Sequence, residues 1–263
     1  MTLFGLTLSA ISWLLIEHHV SLVDEGRLFV AMVGVNALLA AIVLVFYTAF
    51  EPFVRRRWPQ MLVSWARVVA GSWRDPLVGR DILIGCASGV VTANLTNLSR
   101  LAAARADGAG AHFVPDWNMF DGTRPMLGAM AAITSQGVFI GLFMLFVLFV
   151  LKITLRRDWA AIAVFVLLAG TVRNLVSFTW ATLPIIVIIG AIRATVLIRF
   201  GLVAEMAGAA VWTLFMISPI TLQTSAWYAG PGYGVSVFIG LIAVYGFKTA
   251  LGGRRLVEGA IGD

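Results

Sequence analysis

Side chains able to do chemistry are few along this chain, and they are scattered. Glu17, His18 and His19 form its one compact group of metal-ligating side chains. Adjacent histidines leave a helix in different directions, unlike the i, i+4 pair of a zinc helix, and no third histidine is nearby in sequence. The expectation is therefore solvated residues past a helix end, with no metal site. Glu205 is the second candidate, a carboxylate within the apolar run 201–220, where an unpaired charge is costly and usually functional. Arg193 and Arg199 are close enough in sequence to neutralise it. Because Glu205 sits near the start of the run, the preferred reading is a side chain reaching the headgroup layer, the alternative being a proton or ligand relay. Nucleophilic catalysis has no support: there is no Gly-x-Ser-x-Gly elbow and no Ser, His and Asp set on one side of a membrane. No cofactor-binding motif is present.

The elements that must position these residues are apolar. Of 263 residues 60% are hydrophobic and 12% charged, and the mean hydropathy is +0.94. A soluble chain is nearer one-quarter charged. The charges gather between apolar segments at about 3–16, 28–50, 82–99, 127–151, 159–173, 176–198, 201–220 and 232–250. Crossing about 30 Å of hydrocarbon takes about 20 such residues. The fold expected is an all-α, polytopic transmembrane bundle of about eight spans, or six to seven if the first, third and fifth segments are re-entrant or interfacial. The amino terminus lacks a basic leader region and a small-residue cleavage site, so 3–16 reads as a short first span. Cys86 is the single cysteine, which excludes an intrachain disulfide.

Net charge is +6 with a pI near 10.2. The basic residues stand at the ends of apolar segments, which points to membrane topology and not to nucleic acid. With eight spans and an inward amino terminus, fourteen of the nineteen Lys and Arg fall on the cytoplasmic side. Both termini are then cytoplasmic, and 100–126 is an external loop with Trp117 as an interfacial anchor. Asn36, Asn94, Thr96, Asn97 and Gln136 read as polar packing groups at membrane depth. The Gly85–Gly89 and Gly137–Gly141 spacings read as close helix approaches.

The cytoplasmic Arg/Trp-rich loop 51–81 is the most informative stretch. Trp58, Met61, Leu62, Trp65, Val68, Val69 and Trp73 recur at three- and four-residue steps, with Gln60, Ser64, Arg67, Gly71 and Arg74 opposite. Pro59 suits a first turn and Asp75-Pro76 an end. This is an amphipathic interfacial helix, its tryptophans toward lipid and its cations toward the anionic inner leaflet. Arg55, Arg56, Arg57, Trp58, Trp65, Arg67, Trp73, Arg74 and Arg80 are the candidate contacts with the membrane surface or a partner.

The stretch from Glu51 to Pro59, then Ser64-Trp65, Arg67 and Arg74 to Gly85, resembles the membrane domain carboxyl-terminal to the catalytic domain in many bacterial serine/threonine protein kinases. Ser225 to Gly230 and Val244 to Arg254 add a second matching block. The resemblance implies a membrane anchor and signal-input unit, with a kinase domain in cis or in trans as its cytoplasmic partner. The chain itself has no Gly-rich loop with a Val-Ala-Ile-Lys strand, no His-Arg-Asp loop, no Asp-Phe-Gly and no Ala-Pro-Glu. Nothing is present to hold magnesium or align phosphates, so kinase activity is not expected of it. Whether it is a free module or a piece of a longer frame stays open. The alternative function is a small secondary transporter or permease, for which Glu205, Arg193 and the mid-span amides would have to converge on a water-accessible cavity.

Overall fold

The computed structural model describes residues 2–16, 22–107, 116–171, 180–218, 220–221 and 223–252. Among them every regular element is helical: α1 (Thr2–Ile16), α2 (Leu22–Arg57), α3 (Val63–Val69), α4 (Pro76–Asp107), α5 (Thr123–Leu155), α6 (Asp158–Thr171), α7 (Leu183–Thr195), α8 (Leu202–Ile217) and α9 (Ala229–Ala250). Short 3-10 turns precede α3, α5 and α7, and a π-helical turn at Val196–Phe200 ends α7. The expected all-α bundle is present.

Four helical stretches are long and apolar enough to cross a bilayer: Pro76–Arg105, Thr123–Leu155, Leu183–Phe200 and Ala229–Ala250. Asp158–Thr171 and Leu202–Ile217 are apolar but shorter, as is the 15-residue α1; the 36-residue α2 contains the apolar stretch Gly26–Leu38. Among the described residues four candidate spans are thus found, which by themselves do not reach the six to eight expected. The loop boundaries also move. Leu101 to Ala106 is alanine-rich and favours helix, so α4 continues to Asp107, and α5 begins at Thr123, both inside the 100–126 expected to be loop. At the other end α2 carries on through Pro52 to Arg57, and α4 begins at Pro76, so 51–81 contracts to 58–75.

The hub is α8, whose small side chains let two helices approach. A Cβ placed on Gly85 would lie 2.5 Å from the Ala204 carbonyl oxygen, and one on Gly89 2.7 Å from that of Gly208. On another side of α8, Gly137 faces Ala210 and Gly141 faces Met206. Both glycine spacings therefore do what the sequence suggested: they seat α4 and α5 on α8 at backbone contact, where van der Waals packing drives association in lipid. Two apolar clusters fill the bundle. One, at the basic end, joins Met61, Trp65, Leu148, Phe165, Leu197 and Leu202. The other joins Met119, Ile133, Leu214, Val235 and Ile239.

Candidate functional site

The loop between α2 and α4 is not one amphipathic helix. Pro59–Leu62 forms a 3-10 turn, α3 follows for two turns, and the chain leaves at Gly71, whose φ of +82° is open to glycine. The Gly71 and Ser72 amides bond back to the Val68 and Arg67 carbonyls and close that end. Asp75-Pro76 was expected to stop this helix and instead starts the next. The Asp75 carboxylate accepts the Leu77 amide at 2.9 Å, and Pro76 takes the first helical position, where no N–H is needed.

The direction of the apolar face is a further correction. Met61, Leu62 and Trp65 are buried against Leu145 and Phe149 of α5 and Leu202 and Met206 of α8, so Trp65, 3% exposed, meets protein and not lipid. The physical reason is that α5, α8 and the π-turn leave a hollow end to the bundle, and α3 caps it. Gly201 shows how close the cap sits: its φ is +87°, and a Cβ there would lie 2.6 Å from the Met61 carbonyl. Trp58 is half-buried with the Lys152 ammonium 4.1 Å from its ring centroid, a cation–π contact worth about 0.5–2 kcal/mol. Lys152 also pairs with Asp158 at 3.4 Å. Trp73 alone of the three tryptophans is exposed.

The polar face is likewise committed internally. Ser64, on the face opposite the tryptophans, is buried and donates to Asp81, a buried carboxylate. Arg80 donates to the same carboxylate from Nε at 3.0 Å and Nη2 at 2.9 Å, and its guanidinium lies 5.8 Å from the Phe200 ring centroid. Arg67 donates to both Asp75 oxygens at 2.5 Å. These bonds tie α3 to the first turns of α4. The Arg67 guanidinium is what holds the Asp75 carboxyl below its ordinary 3.8, helped by the Leu77 amide and opposed by partial burial. Asp81 was missed from sequence, because a residue 17 positions from Ser64 leaves no periodic signal.

Arg74 remains exposed, and Arg80 keeps about half of its side-chain surface. Arg74 lies beside Tyr245, Lys248, Thr249 and Gly252 of the second matching block, and the Tyr245 hydroxyl donates to the Trp73 carbonyl at 2.8 Å. The two blocks are thus neighbours in space. Arg55, Arg56 and Arg57 form the last turn of α2, with side chains outside the described residues.

Arg193 and Glu205 do meet. Arg193 Nε donates to Glu205 Oε1 at 3.0 Å, Nη2 donates to the same oxygen, and Nη1 donates to the Ala169 carbonyl at 3.3 Å. Both side chains are buried. The carboxylate sits in the first turn of α8 and the guanidinium in the last turn of α7, the favourable end of each helix dipole. Glu205 is therefore paired inside the bundle and does not reach headgroups. Arg199 is exposed and takes no part in this pair. The surrounding void, lined by Ser88, Thr92 and Trp212, is about 10 Å³, room for about one water. The amides do not converge on it: Asn36 and Asn94 bond to carbonyls of their own helices, and Asn97 and Gln136 are exposed. Glu17, His18, His19 and His112 lie outside the described residues, and among those described no metal-ligating cluster occurs.

No family model, curated protein or solved structure matches the chain. The reading of the site rests on its own geometry. Aromatic rings, with Trp117 and Trp227 exposed, mark the opposite end: Trp117 lies 6.1 Å from Phe120, Phe120 5.6 Å from Trp227, and Trp227 meets Tyr228 edge-on at 5.7 Å. Such amphipathic rings suit a membrane–water boundary.

Proposed function

We propose that this chain is a non-catalytic membrane anchor and signal-input unit of the bacterial inner membrane, akin to the membrane portion of serine/threonine protein kinases. In this reading both termini and the 58–75 cap face the cytoplasm. The observation that carries it is the cap itself. An amphipathic segment with four arginines nearby is folded onto the bundle and tied by Ser64–Asp81 and Arg67–Asp75, and it presents Arg74, Arg80 and Lys248 outward. A fixed cationic surface is what a cytoplasmic kinase domain, in cis or in trans, would need to sense a rearrangement of the helices. The anionic inner leaflet supplies a second attraction of about 1 kcal/mol per cation. Among the described residues no metal-ligating cluster stands behind catalysis by the chain alone.

The test is a cysteine placed at the exposed Gln60 in the full chain, reconstituted in oriented vesicles and probed with a membrane-impermeant maleimide. Labelling is expected from the cytoplasmic face alone. Labelling from the outer face overturns the orientation. Trp65→Ala should expose the cap to trypsin at Arg74 and Arg80, and unchanged cleavage would count against the cap as an ordered surface.

A further inference from the structure

Beneath α3 the bundle holds a cavity of about 340 Å³ walled by Trp65, Val69, Trp73, Val138, Val203 and Leu214, among others. That volume is within the range of about 300–1,000 Å³ found for small-molecule sites. Among the described residues no charged side chain lines it, and the one hydroxyl that does, Thr134, already donates to the Met130 carbonyl at 2.8 Å. A space lined in this way suits an apolar occupant. It is also long. Val203 and Leu214 both wall it and are 11 residues apart on α8, about 16 Å at 1.5 Å per residue. One leaflet of a hydrocarbon core of roughly 30 Å has that depth.

Next along the chain from Trp73, Arg74 lines a second hollow with Tyr245, Lys248, Thr249 and Gly252. The Tyr245–Trp73 hydrogen bond joins the two walls. Arg74 and Lys248 are exposed there, no carboxylate among the described residues lines the hollow, and the nearby acids Asp75 and Asp81 are engaged by Arg67, Ser64 and Arg80. We infer that the cavity holds one acyl chain of an anionic phospholipid, whose phosphate lies between Arg74 and Lys248. A mostly apolar slot one leaflet deep, with two cations near one end and no charged group among the described residues along its length, matches a lipid chain and its headgroup in both dimension and charge. Arginine and lysine suit phosphate oxygens as donors of fixed charge. The occupant would then wedge α3 against α5 and α8, making the position of the cap dependent on lipid.

The assignment rests on the placement of the chain in a bilayer and not on any cytoplasmic partner. The test is native mass spectrometry of the full chain released from neutral detergent, titrated with phosphatidylglycerol, phosphatidylcholine and the chain-free headgroup glycerophosphoglycerol. One phosphatidylglycerol per chain is expected, held at least tenfold more tightly than phosphatidylcholine, with the chain-free headgroup weaker still. Arg74→Ala with Lys248→Ala should weaken phosphatidylglycerol roughly 30-fold, about fivefold for each cation near the headgroup. Val138→Trp, or Val69→Trp at a 56% exposed wall position, should displace the chain while the helical circular dichroism is retained. Equal affinity for the two lipids refutes the headgroup assignment, and so does equal binding by the double alanine variant. Full binding of the chain-free headgroup, or of lipid to both tryptophan variants, refutes the acyl-chain assignment. A photo-crosslink from Leu256 into the cavity would make the chain's own tail the occupant and overturn the inference. Loss of lipid with Gln60 labelling intact refutes the cavity alone; reversed labelling refutes the orientation.

Discussion

Replacing Glu205 by alanine strands the Arg193 guanidinium inside the bundle. Arg193 is 8% exposed and Glu205 2%, and without the carboxylate the guanidinium keeps only the Ala169 carbonyl at 3.3 Å. Removing one partner of a buried ion pair costs about 3–5 kcal/mol, because the charge left behind is neither paired nor hydrated. Replacing both partners by apolar side chains of similar volume is close to neutral, or stabilising by about 1–4 kcal/mol. Glu205→Ala should therefore lower the unfolding free energy by about 3–5 kcal/mol, and Glu205→Leu with Arg193→Met should recover most of that loss. The assay is reversible unfolding in mixed micelles with increasing dodecyl sulfate, followed by circular dichroism. A loss below about 1 kcal/mol for the single variant would mean that water reaches the pair, reopening the relay reading. A double variant as unstable as the single would refute the desolvation argument itself.

Three other expectations use the same unfolding assay. Trp65→Ala should cost about 3–5 kcal/mol, whereas Trp65→Phe should stay within about 1.5, since the indole N–H has no partner among the described residues and its loss frees no acceptor. Val at Gly85 or Gly89 should cost more than about 1–3 kcal/mol, because a Cβ there meets the α8 backbone and not a movable side chain; a loss within experimental error would show that α4 and α8 are not in backbone contact. Asp75 has a lowered folded-state pKa, so its contribution is complete above the ordinary 3.8 and is lost as pH falls through the lower folded value. Wild type should therefore lose more stability than Asp75→Asn when the pH is taken from 5 to below 4, and equal losses would remove Asp75 from the cap.

The helical bundle and the two glycine approaches were legible in sequence, as was the need of Glu205 for a neutralising arginine, although the preferred reading sent its carboxylate to the headgroups and the bundle instead buries it against Arg193. Each follows from a local rule: segment hydropathy, four-residue glycine spacing, and the cost of a lone charge in an apolar run. The number of spans was not legible to the same degree. Helix ends are set by the helix-forming tendency of flanking residues as well as by apolarity, as the extension of α4 through Leu101 to Asp107 illustrates.

What periodicity determined about 58–75 is that one face is apolar and the other polar, since side-chain direction repeats along any helix. It carries no information on what lies opposite. Whether Trp65 met lipid or protein, and whether Ser64 met water or Asp81, was decided only when α5, α8 and the π-turn left a hollow end for α3 to close. Residue type and spacing thus specified the helices and the signs of their faces. Which partner each face buried was a property of the assembled bundle, because burial depends on contacts between segments far apart in the chain.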